Sequence, residues 1–285
     1  MKVASQDFLQ QAHEALRAKD KVERRDLLGQ FMPAARDAAA NAYGDFDGLR
    51  AHMKRVRGHT TEHLAHYLQQ FEEAAVAHGN QVHFAATAEQ LNSTVLSICQ
   101  THNARRVAKG KSMVTEETGL NELLLKAGLE VLETDLGEYI IQQAGEAPSH
   151  IVGPAFHKSL AEVRELFLAK HKLGERALES VSDIVEEARG VLRERFLAAD
   201  VGIIGANALI AEHGTTMLVT NEGNGDLCAN LPPVLIICTT FERLLPRAED
   251  AMALQRLLVR SATGQSHTCY TSFYSGPRRE DDVDG

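Results

Sequence analysis

The feature that most limits how this chain can fold is a change of hydrophobic period near residue 79. Before it, the sequence reads as helix. Ala, Glu, Gln, Arg and Leu dominate, Pro33 is the one proline, and Leu64, Tyr67, Leu68, Phe71 and Ala75 recur at helical spacing. Gly44 and Gly48 punctuate that stretch. After it, short apolar runs at 81–85, 105–108, 129–132, 150–152, 201–204, 216–220 and 234–238 read as strands. Helical patterns at 88–102, 115–127, 160–170, 181–198 and 249–260 lie between and after them. Strands alternating with helices predict an α/β fold with a mostly parallel sheet covered on both faces. Runs with no polar side are what doubly buried strands require.

Composition narrows the function classes. The 285 residues are 44% apolar and 24% charged, which is ordinary for a globular protein. The net charge of −9 disfavours a nucleic-acid binder, whose footprint is a basic face, and disfavours docking on an anionic membrane. No apolar stretch is long enough to span a bilayer, and the first residues lack the apolar core and cleavage site of a signal peptide. Cys99, Cys228, Cys238 and Cys269 show no paired short spacing, so the expected compartment is a reducing cytoplasm.

Several segments have the residue types that chemistry needs. Residues 109–118, KGKSMVTEET, leave a strand and open a helix. Lys109 and Lys111 beside a helix N-terminus suit an anion, and Ser112 or Thr115 can cap the helix with Glu116 in its first turn. The alternative reading is a capped helix with two solvated lysines. Residues 200–207, DVGIIGAN, have Gly-x-x-Gly spacing, which is not a dinucleotide fingerprint; Asn207 stands where open α/β sheets bind ligands, beyond a strand end. In 211–225, Glu212 precedes a strand that begins near Thr215, and Asn221-Glu-Gly-Asn-Gly leaves it. Glu212 and Glu222 can act as an acid and base pair, and Asn221, Glu222 and Asn224 lie in a loop whose amides can cradle an anion, or simply turn the chain. His59, His63 and His66 share a helix face, which a polar surface explains more simply than a metal, so no metal site is assigned. His150 and His157 flank Pro154. No nucleophile elbow, Walker loop or cluster-binding cysteine run appears.

Taken together, KSMVTEETGLN (111–121), ETDLGEYIIQ (133–142), PSHIVGPAFHK (148–158), DVGIIGAN (200–207), AEHGT (211–215), VTNEGNG (219–225), RSATGQ (260–265) and YSGPRR (274–279) resemble the lactate-utilisation protein B family, in order and over nearly the whole chain. The resemblance implies a LUD domain with a Rossmann-like sheet of the NagB/RpiA/CoA-transferase type. It divides the chain into a helical N-terminal extension (1–78), a LUD α/β domain (79–275) and a charged tail (276–285). It also implies a part in oxidising L-lactate to pyruvate with lactate-utilisation proteins A and C as partners. Full-length members continue into a ferredoxin-like part holding [4Fe–4S] clusters. The cysteine run that would ligate them lies beyond Gly285 in the family, so no cofactor is expected in these 285 residues.

Two other readings stand beside this one. In one, the chain is an enzyme or binding module for a small anion (a carboxylate, acyl thioester or phosphate), held by Lys109, Lys111, Thr115, Glu116, Asn207, Glu212, Thr215, Asn221, Glu222 and Asn224. In the other, it is a scaffold that docks partner subunits through the helical N-terminal extension.

Overall fold

The computed structural model describes residues 7–146, 148, 153–174 and 176–278. Helices α1 (Phe8–Arg17), α2 (Lys19–Asn41), α3 (Phe46–Glu62), α4 (Leu64–Ala77) and α5 (Ala88–Thr101) come first. Then come β1 (Arg106–Lys109), α6 (Met113–Glu117), α7 (Leu120–Lys126), β2 (Glu130–Glu133), α8 (Leu136–Ala144), α9 (Leu160–Lys170) and α10 (Val181–Leu197). The remainder is β3 (Val201–Ile204), β4 (Ala208–Ile210), β5 (Thr215–Thr220), α11 (Asn224–Asn230), β6 (Val234–Ile237), β7 (Leu244–Leu245), α12 (Ala248–Thr263) and β8 (Tyr270–Tyr274). Among the described residues, no helix is long and apolar enough to cross a membrane.

The chain forms two compact units. One comprises Met1–Gln30, Asn92–Ile204 and Asn224–Ile236; the other comprises Phe31–Leu91, Gly205–Gly223 and Ile237–Gly285. The first unit is built on a parallel sheet in the order β2-β1-β3-β6. Val107 pairs with Val131 on one side and Val201 on the other. All of β3 and the last three residues of β1 are buried, as strands covered on both faces must be. Helices α7 and α8 pack against β2, and α11 packs against β3. The α11 contact is backbone to backbone: a Cβ on Gly202 would overlap the Cys228 carbonyl oxygen. At the start of the sheet, the Asp200 carboxylate accepts from the Arg105 and Arg106 amides at 2.7 and 2.9 Å. Those two bonds hold its carboxyl below the usual range.

The helices begin where their caps dictate. Ser159 with Glu162 and Ser180 with Asp183 form reciprocal capping boxes that start α9 and α10. A buried polar chain then joins three helices. The Tyr139 hydroxyl bonds His171 Nε2 at 2.9 Å, His171 Nδ1 bonds Glu187 at 3.0 Å, and Arg176 pairs with Glu187 at 2.7 Å. The His171 ring stacks on Phe167 with centroids 4.3 Å apart.

The second unit has a mixed sheet, β7-β4-β5-β8, in which β5 is antiparallel to both its neighbours and β4 is parallel to β7. Here the strand period of two is explicit. Ala208 and Ile210 join Met53, Met217, Leu245, Ala251 and Ala253 in one core, with Leu49 and Val56 of α3 against it. Leu209 and Ala211 face the other way with Leu244, and there they meet Leu64, Tyr67, Leu68 and Phe71. The apolar stripe of α4 is therefore the cover of one sheet face. The hairpin turn at Gly214, with φ +60°, approaches α4 so closely that a Cβ would collide with the backbone of Ala74 and Ala75.

The α/β class and the parallel sheet agree with the sequence reading. Strands at 105–108, 129–132, 201–204, 216–220 and 234–238 fall within a residue or so of β1, β2, β3, β5 and β6. The expected strand at 81–85 is irregular chain instead. Its alternating Phe84 is half-exposed, and among the described residues its one aromatic neighbour is the tilted ring of Phe241, so it is not buried on a sheet face. The expected strand at 150–152 lies outside the described residues. Elements α8, α11, β4, β7 and β8 had no counterpart in the sequence reading.

The α11–β3 contact gives the first prediction. Gly202→Ala should destabilise the protein by about 1–3 kcal/mol, the cost of overpacking where backbone rather than a side chain must move. Chemical denaturation measures it; an unchanged midpoint would refute the close approach.

Candidate functional site

Strands β1 and β2 end side by side. Their parallel register sets Lys109, the last residue of one, against Glu133, the last residue of the other. The carboxyl end of such a sheet is where open α/β folds bind ligands. Lys109 is completely buried, and its ammonium pairs with Glu133 Oε1 at 2.8 Å. It also donates to Thr115 Oγ1 at 3.2 Å, and Thr115 in turn donates to the Ser112 carbonyl. Asn121 donates to the same Glu133 oxygen at 2.6 Å. Among the described residues, the other Glu133 oxygen meets no donor.

The next element supplies the unusual group. Asp135 caps α8 by accepting from the Gly137 and Glu138 amides. The positive end of that helix is thus satisfied, and Glu138 in its first turn is left to face inward, 5% exposed. Neither of its oxygens meets a hydrogen-bond donor among the described residues. Burial, then the Glu133 charge and the Glu116 contact, push the Glu138 carboxyl up to about 10, against the opposing pull of Lys109. Loss of water thus favours the neutral form of the Glu138 carboxyl.

A second polar layer lies beside this cluster. Thr134 Oγ1 donates to the Lys109 carbonyl at 3.0 Å, receives Asn224 Nδ2 at 3.3 Å and lies 3.4 Å from Cys228 Sγ. Gly110 extends the ladder through its amide to Ile203, and a side chain there would press on Ile204.

Of the residues singled out in the sequence, Lys109, Thr115, Glu116 and Asn224 belong to these two layers, and half-buried Lys111 follows in the same unit. The Lys109 charge is already taken up by Glu133. In the other unit, Asn207, Glu212 and Thr215 have structural partners. Asn207 Oδ1 accepts the Val219 amide at 2.7 Å, Glu212 Oε1 accepts the Ala248 amide at 2.6 Å at the start of α12, and Thr215 bonds Ser275 at 2.8 Å. Asn221 and Glu222 of that unit are exposed.

His59 Nε2 bonds the Tyr67 hydroxyl at 2.9 Å, with the His63 ring against it. His157 pairs with Glu146, and His150 lies outside the described residues. Among the described residues, no group of three or more His, Cys, Asp or Glu side chains is placed to hold a metal. Cys99 and Cys228 are buried thiols pushed up to about 11 and about 12, mainly by loss of water. Cys238 is buried and Cys269 exposed; the four thiols are dispersed along the chain, whereas an iron–sulfur cluster needs thiolates in close array.

Sequence reasoning missed Glu133 and Glu138. The available signal was an ionisable residue closing an apolar strand, opposite a lysine closing its neighbour. For Glu138 there was also an aspartate three residues upstream, at a helix cap.

The fold and site define a Rossmann-like α/β protein with a buried acid–lysine cluster at the carboxyl edge of its parallel sheet. Within that class, the chain belongs to the LUD domain family, which it matches over residues 68–285. It is 45% identical over 248 residues to lactate utilization protein B of Geobacillus sp. (strain WCH70), covering 87% of this chain and 52% of that protein. It is 43% identical over 248 residues to lactate utilization protein B of Bacillus subtilis (strain 168), covering 87% and 51%. With lactate utilization protein B of Bacillus licheniformis the identity is 38% over 286 residues, covering 100% and 60%. The chain thus spans about half the length of the first two and 60% of the third. No solved structure matches it.

The raised Glu138 carboxyl makes stability depend on pH. The native state holds a proton that the unfolded chain releases above its ordinary value of 4.5. The contribution is complete below that pH and is lost as pH rises toward about 10, at up to about 1.4 kcal/mol per pH unit for one proton. Glu138→Gln, which mimics the neutral acid, should flatten this slope and raise the melting temperature at pH 8. Scanning calorimetry across pH tests it; an unchanged slope would place the proton elsewhere.

Proposed function

We propose that this chain serves in L-lactate utilisation, as the LUD-domain subunit of a complex that oxidises L-lactate to pyruvate with lactate-utilisation proteins A and C. The observation that carries the reading is 43–45% identity, over 87% of the chain, to proteins named lactate utilization protein B. The acid–lysine cluster adds chemical support. Oxidising a hydroxyl to a carbonyl releases two electrons and two protons, and a buried carboxylate beside a lysine is equipped to accept one of the protons. Electrons in the proposed complex would travel through [4Fe–4S] clusters ligated outside these residues, and no step is assigned to Cys99, Cys228, Cys238 or Cys269.

Deleting the gene in a host with no second copy should abolish growth on L-lactate and leave growth on pyruvate intact. Restoring the gene should restore growth on lactate. Normal growth of the deletion strain on L-lactate would overturn the assignment.

A further inference from the structure

We propose that residues 153–158 form a strap that closes the acid–lysine cluster, latched to α8 by the Glu146 carboxylate and freed when that latch opens. The cluster itself calls for a moving part. Lys109 and Thr115 are wholly buried, and Ser112, Glu133 and Glu138 nearly so. Side-chain oxygens of Ser112, Glu133 and Glu138 are shut off from water and, among the described residues, meet no hydrogen-bond partner. Buried polar atoms left unmet are costly. A site closed in this way admits a small molecule only when a covering segment moves.

The strap lies along α8. At one end, buried Pro154 sits against the first turn of the helix, at the residue before Glu138. A Cβ on Gly137 would stand 3.0 Å from Pro154 Cδ and 3.6 Å from the Ala155 nitrogen. At the other end, Glu146, just past the last turn of α8, takes both basic side chains of the strap. His157 Nε2 meets one Glu146 oxygen at 2.8 Å, and Lys158 Nζ meets the other. Two internal bonds keep the segment compact: the Phe156 amide donates to the Gly153 carbonyl at 3.1 Å, and the Lys158 amide to the Ala155 carbonyl at 2.9 Å. Ser159 then opens α9.

The fastenings of α8 and of the strap differ in kind. Gln142 ties α8 to the edge of β2 as a neighbouring strand would, donating to the Val131 carbonyl at 2.8 Å and accepting the Glu133 amide at 3.1 Å. Tyr139 ties it to buried His171 at 2.9 Å. Glu146, by contrast, is 41% exposed, and an ion pair open to water contributes little and weakens with salt. Closure also has a cost. His157 Nδ1 is buried without a hydrogen-bond partner among the described residues, and opening returns it to water. The helix is therefore the fixed part and the strap the movable one. This stands independently of the lactate assignment, because it concerns access to the site and not the molecule that enters.

Carboxyl labelling of the full chain with a water-soluble carbodiimide and a small amine, located by peptide mass spectrometry, tests it. Glu187 is the internal control: it is buried in the same unit but held by His171 and Arg176. In wild-type protein Glu138 and Glu187 should both label slowly. Glu146→Ala removes the latch. Gly137→Ala presses a new Cβ onto Pro154 while suiting the helix. Each should raise labelling of Glu138 several-fold and leave Glu187 protected. Unchanged labelling of Glu138 in the variants would overturn the strap. Labelling of Glu138 and Glu187 in step would overturn it too, since that marks general loosening and not the opening of one segment. If one variant fails to fold, the other decides.

Discussion

The first unit is organised around a buried charge that had to be neutralised. Lys109 ends a strand with no exposure at all, and an isolated ammonium in that position would not remain charged without a partner. Glu133, opposite it in register at 2.8 Å, removes the problem. Removing one member of such a pair costs about 3–5 kcal/mol, far more than the intact pair contributes relative to apolar residues. The pair therefore acts mainly as a constraint on geometry. It fixes where β1 and β2 end, it places α6 through Thr115 and α7 through Asn121, and it leaves one carboxylate oxygen of Glu133 facing α8.

The two sheets answer different burial demands. The parallel sheet of the first unit is covered on both faces, so its central strands are apolar throughout and can be polar only at their ends. Chemistry is thereby pushed to the carboxyl edge. The mixed sheet of the second unit also has two apolar faces, but it fills them with alternate residues against different helices: Ala208 and Ile210 toward one core, Leu209 and Ala211 toward the other. Its polar candidates have been drawn into that construction. Glu212 caps a helix and Asn207 closes a hairpin.

What was legible in the sequence follows from this. Strands β1, β2, β3, β5 and β6 were readable as short apolar runs; β3 is buried throughout, whereas β6 is half-buried along its length. Helices α9 and α10 were readable from their helical period at 160–170 and 181–198, and Ser159 and Ser180 cap them. Strand β7, Leu244–Leu245, is too short to show any period, and β4 is little longer. Helix α8 was hidden by Gly137 in its first turn and the paired Ile140 and Ile141, which local propensity places elsewhere; packing on β2 decides it. The site was half visible. A search for cations and turn formers found Lys109, Thr115, Glu116 and Asn224. It passed over Glu133 and Glu138 because a glutamate near a strand end reads as solvent-facing until the register shows what stands opposite.

Three glutamates are buried among the described residues, and they differ in how their charge is met. Glu187 has His171 on one oxygen and Arg176 on the other, so its charge is fully compensated and its work is to hold helices together. Glu133 has Lys109 and Asn121 on one oxygen and is compensated by half. Glu138 is 5% exposed, close to Glu133 at 6%, yet the largest charge effect on it comes from another acid, Glu133. A site selected for stability alone would gain by replacing it with an apolar side chain of similar size. Its presence at the carboxyl edge of the sheet, where open α/β folds bind ligands, marks it as a residue that stability alone does not explain.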